Sequence, residues 1–187
     1  MSEPRYLVGQ MLLALPGMSD PRFERTATAM CVHDDGGALG IVVNRVADGI
    51  PARALFGQLG LPSEGVPEDA PVFIGGPVEP QRGFVIHSLD YDAGATLNVA
   101  GRWGLTATLD ILRDIGGGKG PARWLLALGY AGWGPGQLDA ELTTHGWLNA
   151  PATDSLIYDT DPEARWPQAF ASIGVDVGLL SAAAGHA

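Results

Sequence analysis

Cys31 and His33 stand two residues apart, and a thiol beside an imidazole is the smallest nucleophile–base pair a chain can carry. For the pair to act, the imidazole must take the thiol proton and hold the thiolate nearby. On a strand, residues i and i+2 share a face but sit roughly 6.5–7 Å apart at the backbone, so both side chains would have to lean together. A single strand cysteine otherwise serves as a small apolar filler. The other histidines are His87, His145 and His186, and none of the four is spaced as H-x-x-x-H or H-E-x-x-H. A metal site would have to be assembled by the fold from His33, His87, Asp34 or Asp35, and no metal is expected. Ser63, Ser88 and Ser155 lack the G-x-S-x-G elbow that exposes a nucleophilic serine.

Three glycine-rich stretches suggest anion chemistry instead. Gly116-Gly117-Gly118-Lys119-Gly120 has a lysine among glycines, but Gly120 occupies the position where a phosphate loop needs a hydroxyl for magnesium. The stretch also follows a predicted helix and precedes a predicted strand, the reverse of the order that aims a helix N-terminus at phosphate. Residues 129–136 have the right order, strand to helix, and Gly132, Trp133 and Gly134 form the turn. Asp139 and Glu141 follow within two helical turns, where they already complement the helix dipole, and Gln137 is placed to cap backwards onto the turn. At Gly75-Gly76-Pro77 a backbone nest with Arg82 downstream could take an anion; a sharp reversal between two strands is the alternative. Gly75, Gly76, Arg82, Gly132, Trp133 and Gly134 are therefore the candidate ligand-binding residues. No catalytic set is complete, no enzyme activity is expected, and no cofactor is implied.

The elements that position these residues follow from periodicity and turn chemistry. Residues 7–15 predict a first strand, and Asp20-Pro21 caps a short helical turn anchored by Phe23. Residues 26–33 and 38–44 predict a hairpin about Asp35-Gly36 in a type I′ turn, which would set Val32 opposite Leu39 and Cys31 opposite Gly40. Residues 51–59 predict a helix presenting Leu55, Phe56 and Leu59. Strands are predicted at 71–74, 83–87, 95–100 and 103–106, with a turn at 79–82. Residues 108–115 predict a helix with Leu109, Leu112 and Ile115 on one face. Residues 123–131, apolar on both faces, predict a central strand. A helix from Gly134-Pro135 to about His145, strands at 147–149 and 156–158, and a helix at 162–171 follow. Trp166 and Phe170 pair at i, i+4 in that last helix, which Pro167 interrupts or marks as irregular at its start. The Gly/Ala-rich tail after Ser181 is expected to be mobile. Hairpins first and short helices later predict an α+β fold with a mixed, strongly bent sheet, in a single domain over 1–187.

The bulk numbers bound the partners. At 187 residues with 46% hydrophobic and 17% charged content, the chain can bury a core without staples. One cysteine permits no intrachain disulfide and fits a reducing compartment. No apolar run reaches a membrane span, and residues 6–18 lack the features of a targeting segment. A net charge of −10 repels polyanions, so a protein partner is expected before nucleic acid. Direct DNA contact would have to run through Arg22, Arg25 and Arg45.

Several stretches together resemble the bacterial AlgH/YqgE family. They are Met11-Leu12-Leu13-Ala14-Leu15-Pro16-Gly17-Met18, Asp20-Pro21-Arg22-Phe23, Gly40-Ile41-Val42-Val43-Asn44-Arg45, Gly75-Gly76-Pro77-Val78, and Gly129-Tyr130-Ala131-Gly132-Trp133-Gly134 with Gln137-Leu138. The resemblance spans roughly residues 6–150. It implies a cytoplasmic bacterial protein with a bifurcated sheet folded into a pseudo-barrel. Family members are uncharacterised, or assigned as transcriptional regulators by association with alginate control. No catalytic residues carry over, and the expected role is a regulator or adaptor acting through protein contacts. A small-anion or nucleotide site at the glycine corners is the alternative.

Overall fold

A computed structural model describes residues 6–144 and 146–184. Ten strands and five α-helices follow in the order β1 Gln10–Ala14, β2 Ala27–Asp34, β3 Gly37–Val42, β4 Val46–Pro51, α1 Ala52–Gln58, β5 Pro71–Ile74, β6 Val78–His87, β7 Leu97–Val99, β8 Trp103–Thr106, α2 Leu109–Gly116, β9 Trp124–Trp133, α3 Gln137–Thr143, β10 Trp147–Pro151, α4 Pro162–Ala171 and α5 Val177–Ala184. A π-helical turn at Ser155–Asp159 precedes α4.

The main path of the sheet is β10-β1-β2-β3-β9-β6-β8-β7. The chain is α+β, and its sheet curls into a half-barrel that branches along β9. One edge of β9 pairs antiparallel with β6. The other edge is shared. Leu126–Leu128 pair in parallel with Val72–Ile74 of β5, and Ala131–Trp133 pair antiparallel with Gly40–Ala38 of β3. The strand expected to be central is therefore the one where the sheet divides. β4 extends the β5 branch.

Three apolar clusters hold the layers. Trp166 and Phe170 are buried with Met11, Leu13, Ile41, Phe84, Ile86 and Trp103. Their rings meet edge to face at 5.2 Å, and the Trp166 indole donates to Ala14 O at 2.8 Å. Each such side chain contributes roughly 1.5–3 kcal/mol by leaving water. Leu12, Met30, Trp133 and Trp147 pack with Leu138 of α3, whereas Phe56 and Ile111, Leu112 and Ile115 pack against Val72, Val85 and Leu126.

The hairpin keeps its expected register only near the turn. Val32 faces Leu39 and His33 faces Ala38, but beyond a bulge Met30, not Cys31, faces Gly40. Gly40 is tight against Met30 and Thr28, where a Cβ would stand 2.9 Å from the Met30 sulfur and 2.5 Å from the Thr28 methyl. The turn is not type I′. Neither Asp35 nor Gly36 is left-handed; Gly37 carries φ 132°, and the Asp34 side chain accepts from Gly36 N at 2.8 Å.

Other expectations change for physical reasons. Residues 156–158 form no strand: the amide of Thr160 donates to Ser155 O at 2.8 Å, an i to i+5 closure. β4 was not expected, because Asp48, Gly49 and Pro51 suppress a strand signal. β6 starts at Val78 and absorbs the predicted turn at 79–82 as a register shift, with Glu79 at φ 46°. In α2, Leu109 is exposed and Ile111 takes its place in the core. Likewise Leu59, at the end of α1, is exposed while Phe56 is buried. The helix after Gly134 is shorter than expected, Gln137–Thr143, and starts from Gly136 in a left-handed conformation. α4 runs through Pro167, with Asp161 capping Glu163 N. α5 extends into the expected tail, as far as Ala184. His145 and His186 lie outside the described residues.

Candidate functional site

Gly75 and Gly76 occupy the branch point. A Cβ on Gly75 would lie 2.3 Å from Gly129 O, and one on Gly76 would lie 2.1 Å from the carbonyl carbon of Tyr130. Gly129, at φ 78°, packs in return against Gly76 O. The amide of Gly75 donates to Leu128 O, and its carbonyl accepts from Val42 N, both at 2.8 Å. Gly75 thus spends its amide on β9 and its carbonyl on β3. Arg82 does not turn onto it: the guanidinium meets Glu79 at 3.2 Å and lies over the Phe84 ring at 5.0 Å.

Gly132 and Trp133 have a different setting. With Met18, Phe23, Pro77, Val78 and Trp147 they line a hollow of about 420 Å³. Phe23, the anchor expected for the 20–25 turn, stacks on Trp133 at 6.2 Å and meets Trp147 edge to face at 5.6 Å. Both indole N–H groups donate to one oxygen of Glu141 at 3.0 Å, and the other oxygen accepts from Gln137 Nε2 at 3.0 Å. Gln137 Oε1 accepts from Gly134 N at 2.9 Å, the backward cap expected of it. The relay from Gly134 to Gln137 to Glu141 leaves the Gly134 amide already bonded. Buried or half-buried polar groups satisfied in this way hold the two rings in one arrangement. The apolar groove continues over Gly132 and Trp133 toward Leu39, Tyr130 and the exposed Asp34.

Sequence reasoning singled out Gly132 and Trp133 here but missed Glu141 and Trp147 as their partners. The i, i+4 spacing of Gln137 and Glu141 was a usable signal; the convergence of two tryptophans from β9 and β10 was not. Gly76 and Pro77 border a smaller adjoining hollow with Ile74 and Arg45.

The arginines near the start are engaged in holding the chain. Arg45 donates to Pro21 O, Arg22 O and Glu24 O at 2.9, 2.5 and 2.8 Å. Arg22 pairs with Asp20 at 2.7 Å, and Arg25 lies over Trp166 at 4.6 Å. Arg45 ties the 20–25 turn together, whereas Arg22 and Arg25 are exposed.

Cys31 and His33 do not form a pair. The bulge sends Cys31 into the cluster around Trp103, where burial pushes its thiol up to about 12. A thiol held protonated in that way is no nucleophile. His33 turns to the other side: its Nδ1 accepts from Leu7 N at 3.0 Å, so the proton sits on Nε2. That nitrogen faces Asp139 Oδ1 at 3.2 Å, out of line for a hydrogen bond. His87 is fully buried, bonded to Thr106 Oγ1 at 2.8 Å and Ser88 O at 2.9 Å. Among the described residues no group of three or more His, Cys, Asp or Glu stands together as a metal site, and no helix is long and apolar enough to cross a membrane.

A family profile described as AlgH-like matches residues 11–178. The chain belongs to the AlgH-like family. A UPF0301 protein of Rhizorhabdus wittichii is 54% identical to it over the full length of both chains. One of Sphingopyxis alaskensis is 51% identical over 98% of each. The solution structure of the AlgH protein from Pseudomonas aeruginosa superposes with a TM-score of 0.80 at 38% identity, covering 97% of this chain and 96% of that one. A crystal structure of a Corynebacterium diphtheriae protein, 22% identical, shares the fold with a TM-score of 0.73 over 97% of this chain and 94% of that one. The branched half-barrel is thus the AlgH-like fold.

Proposed function

We propose that this AlgH-like protein is a non-enzymatic regulator or adaptor of the cytoplasm, acting by contact with another protein at the Phe23–Trp133–Trp147 hollow. The observation that carries the reading is the double indole clamp on Glu141. It fixes the two rings, which are 6% and 5% exposed, as a rigid floor of the hollow before any partner arrives. The carboxylate has accepted all the donors around it, so the floor offers an apolar side chain a place without stranding a charge. Asp20, paired with Arg22, lines the hollow, Asp34 lines the groove beyond it, and the chain as a whole carries −10. The partner segment is therefore one with an apolar anchor residue flanked by lysine or arginine. A role in transcription would then be indirect, through a bound protein, in keeping with the net charge of −10.

Affinity capture with the intact protein and with Val78→Arg tests the reading. Val78 is half-buried at the rim and lines the hollow. A partner that is retained by the native chain, lost with Val78→Arg and weakened by salt supports the proposal. Partners retained equally by Val78→Arg, or a protein that captures none in cells where its deletion has a phenotype, overturn it.

A further inference from the structure

The sheet ends on β10, and only one edge of that strand is paired. β1 takes the inner edge, in a register that sets Leu13 opposite Leu148 and Met11 opposite Ala150. Two bonds at the end of β1 fix which groups face which way. The amide of Leu15 donates to Gly146 O at 3.1 Å, and that of Ala14 donates to Thr26 O at 3.0 Å. Leu15 therefore turns to β10 and Ala14 to β2, and the alternation of an antiparallel ladder carries this down the pair. Leu148 and Ala150 bond to β1, whereas Trp147 and Asn149 present their N–H and C=O groups to the outer edge. Pro151, next in line, has only a carbonyl to present.

Among the described residues no strand, loop or side chain bonds to the main-chain groups of Trp147 or Asn149. Two N–H and two C=O groups in a row are a short template for another strand. Leu138 of α3 packs on the face that carries Trp147, and Trp166 of α4 packs on the face that carries Ala150. The helices thus cover the faces of β10, while Asn149 and Pro151 are exposed and Leu148 is half-buried. The other edges are blunted. β7 is three residues long, and β4 meets β5 at Val46 and Pro51 with a register shift between them.

We propose that β10 receives an extended segment of the partner protein as an added strand. The inference rests on the protein-contact reading above and gives that contact a form. The segment bonds to the main-chain groups of Trp147 and Asn149. Its side chain opposite Trp147 projects on the same face as the indole, which lines the hollow. That side chain is the apolar anchor, and its neighbours are basic because the chain carries −10. Main-chain bonds supply affinity whatever the sequence, and the hollow selects the side chain. A second copy of this chain would bring a further −10 to the edge, which disfavours pairing of β10 with itself.

Hydrogen exchange of the isotope-labelled full chain tests the edge before any segment is added. The amides of Trp147 and Asn149 are expected to exchange at least roughly tenfold faster than those of Leu148 and Ala150. The probe is a short peptide, blocked at both ends, that alternates lysine with valine around a central phenylalanine. It should shift the Trp147 and Asn149 amides saturably, with a Kd of about 1 mM or below, and slow their exchange. The same peptide N-methylated along its main chain keeps every side chain and loses its donors, so it should bind roughly tenfold more weakly. Asn149→Pro removes an outward N–H, leaves the bonds to β1 in place and should weaken the unmethylated peptide by a similar factor. If that variant does not fold, the N-methylated peptide makes the same distinction on the native chain. Val78→Arg separates the two readings. A peptide that pairs normally with Val78→Arg supports the added strand and tells against the hollow. Binding lost with Val78→Arg but kept by Asn149→Pro and by the N-methylated peptide leaves the hollow as the contact and overturns the added strand. Equal protection of all four amides in the free chain, no saturable shift, or equal affinity for the N-methylated peptide overturns it as well.

Discussion

Gly129→Ala tests the branch point, because the half-barrel divides where this residue lets two backbones touch. At φ 78° the residue is left-handed, which costs an alanine about 1–2 kcal/mol. The added methyl would lie 2.4 Å from Gly76 O, 3.1 Å from Val78 O and 3.2 Å from Pro80 Cα. These are main-chain neighbours that cannot turn aside, so overpacking adds about 1–3 kcal/mol. Restricting the unfolded chain returns about 0.4–1 kcal/mol. The net expectation is a loss of about 2–4 kcal/mol from a total of about 5–15 kcal/mol. At this chain length the melting temperature should fall by roughly 5–15 °C. Urea denaturation beside a thermal scan measures both, with two controls. Gly101→Ala has the same left-handed backbone, φ 70°, and nothing within 4 Å of the new methyl, so it isolates the backbone strain. Gly132→Ala meets side chains alone, the edge of the Tyr130 ring at 3.2 Å and Val78 Cγ2 at 3.9 Å, and should cost under about 1 kcal/mol. A Gly129→Ala loss no larger than that of Gly101→Ala would refute the claim that crowding at the branch holds these glycines.

Three other outcomes are expected. Glu141→Ala removes the oxygen that both indoles share, so both lose their partner; the loss is roughly 1–3 kcal/mol, with a changed near-ultraviolet tryptophan spectrum, and an unchanged spectrum would count against the clamp. Cys31 should resist a thiol reagent at pH 8 in the folded protein and react at once in denaturant, because burial holds its pKa near about 12; rapid labelling of the folded chain would contradict the buried placement. The Ser88 hydroxyl and the Ala122 amide lower the Asp90 carboxyl, which makes its contribution full above the unfolded pKa of about 4 and lost as pH falls through the lower folded value. Asp90→Asn should therefore be less stable than the native chain at pH 7 and lose less stability than it does between about pH 4 and 2, as followed by urea midpoints.

Much of the fold was legible because local chemistry and tertiary structure agreed. Asp161-Pro162 marked the start of α4, and the spacing of Trp166 and Phe170 placed them together on its buried face. Apolar character on both faces marked β9 as central. What was not legible depended on neighbours distant in sequence. The bulge between Met30 and Val32 separates Cys31 from His33, and nothing in the alternation of residues 27–34 announces it. Residues 156–158 carry strand-forming side chains, yet the chain closes there into a π-helical turn that Thr160 and Ser155 complete. Within the candidate site, Gly132 and Trp133 were visible as a turn, and the backward cap of Gln137 was expected. Arg165 gave no signal, because a lone arginine on an amphipathic helix reads as a solvated face until something buries it.

By itself the sequence determined the α+β class, the family and the absence of any complete catalytic motif, since these rest on residue order, turn chemistry and periodicity. Only the tertiary structure decided what the glycines and arginines do. Gly75 and Gly76 were candidates for holding an anion, and the fold packs them against the main chain of Gly129 and Tyr130 where the sheet branches. Of the arginines named for DNA contact, Arg45 ties the 20–25 turn, Arg22 pairs with Asp20 at the surface and Arg25 lies over Trp166. Arg165 was no candidate at all, and the fold buries it with its donors on Thr160 O and Val43 O. The difference is physical: a motif records which donors are present, but only packing determines which of them have already been used.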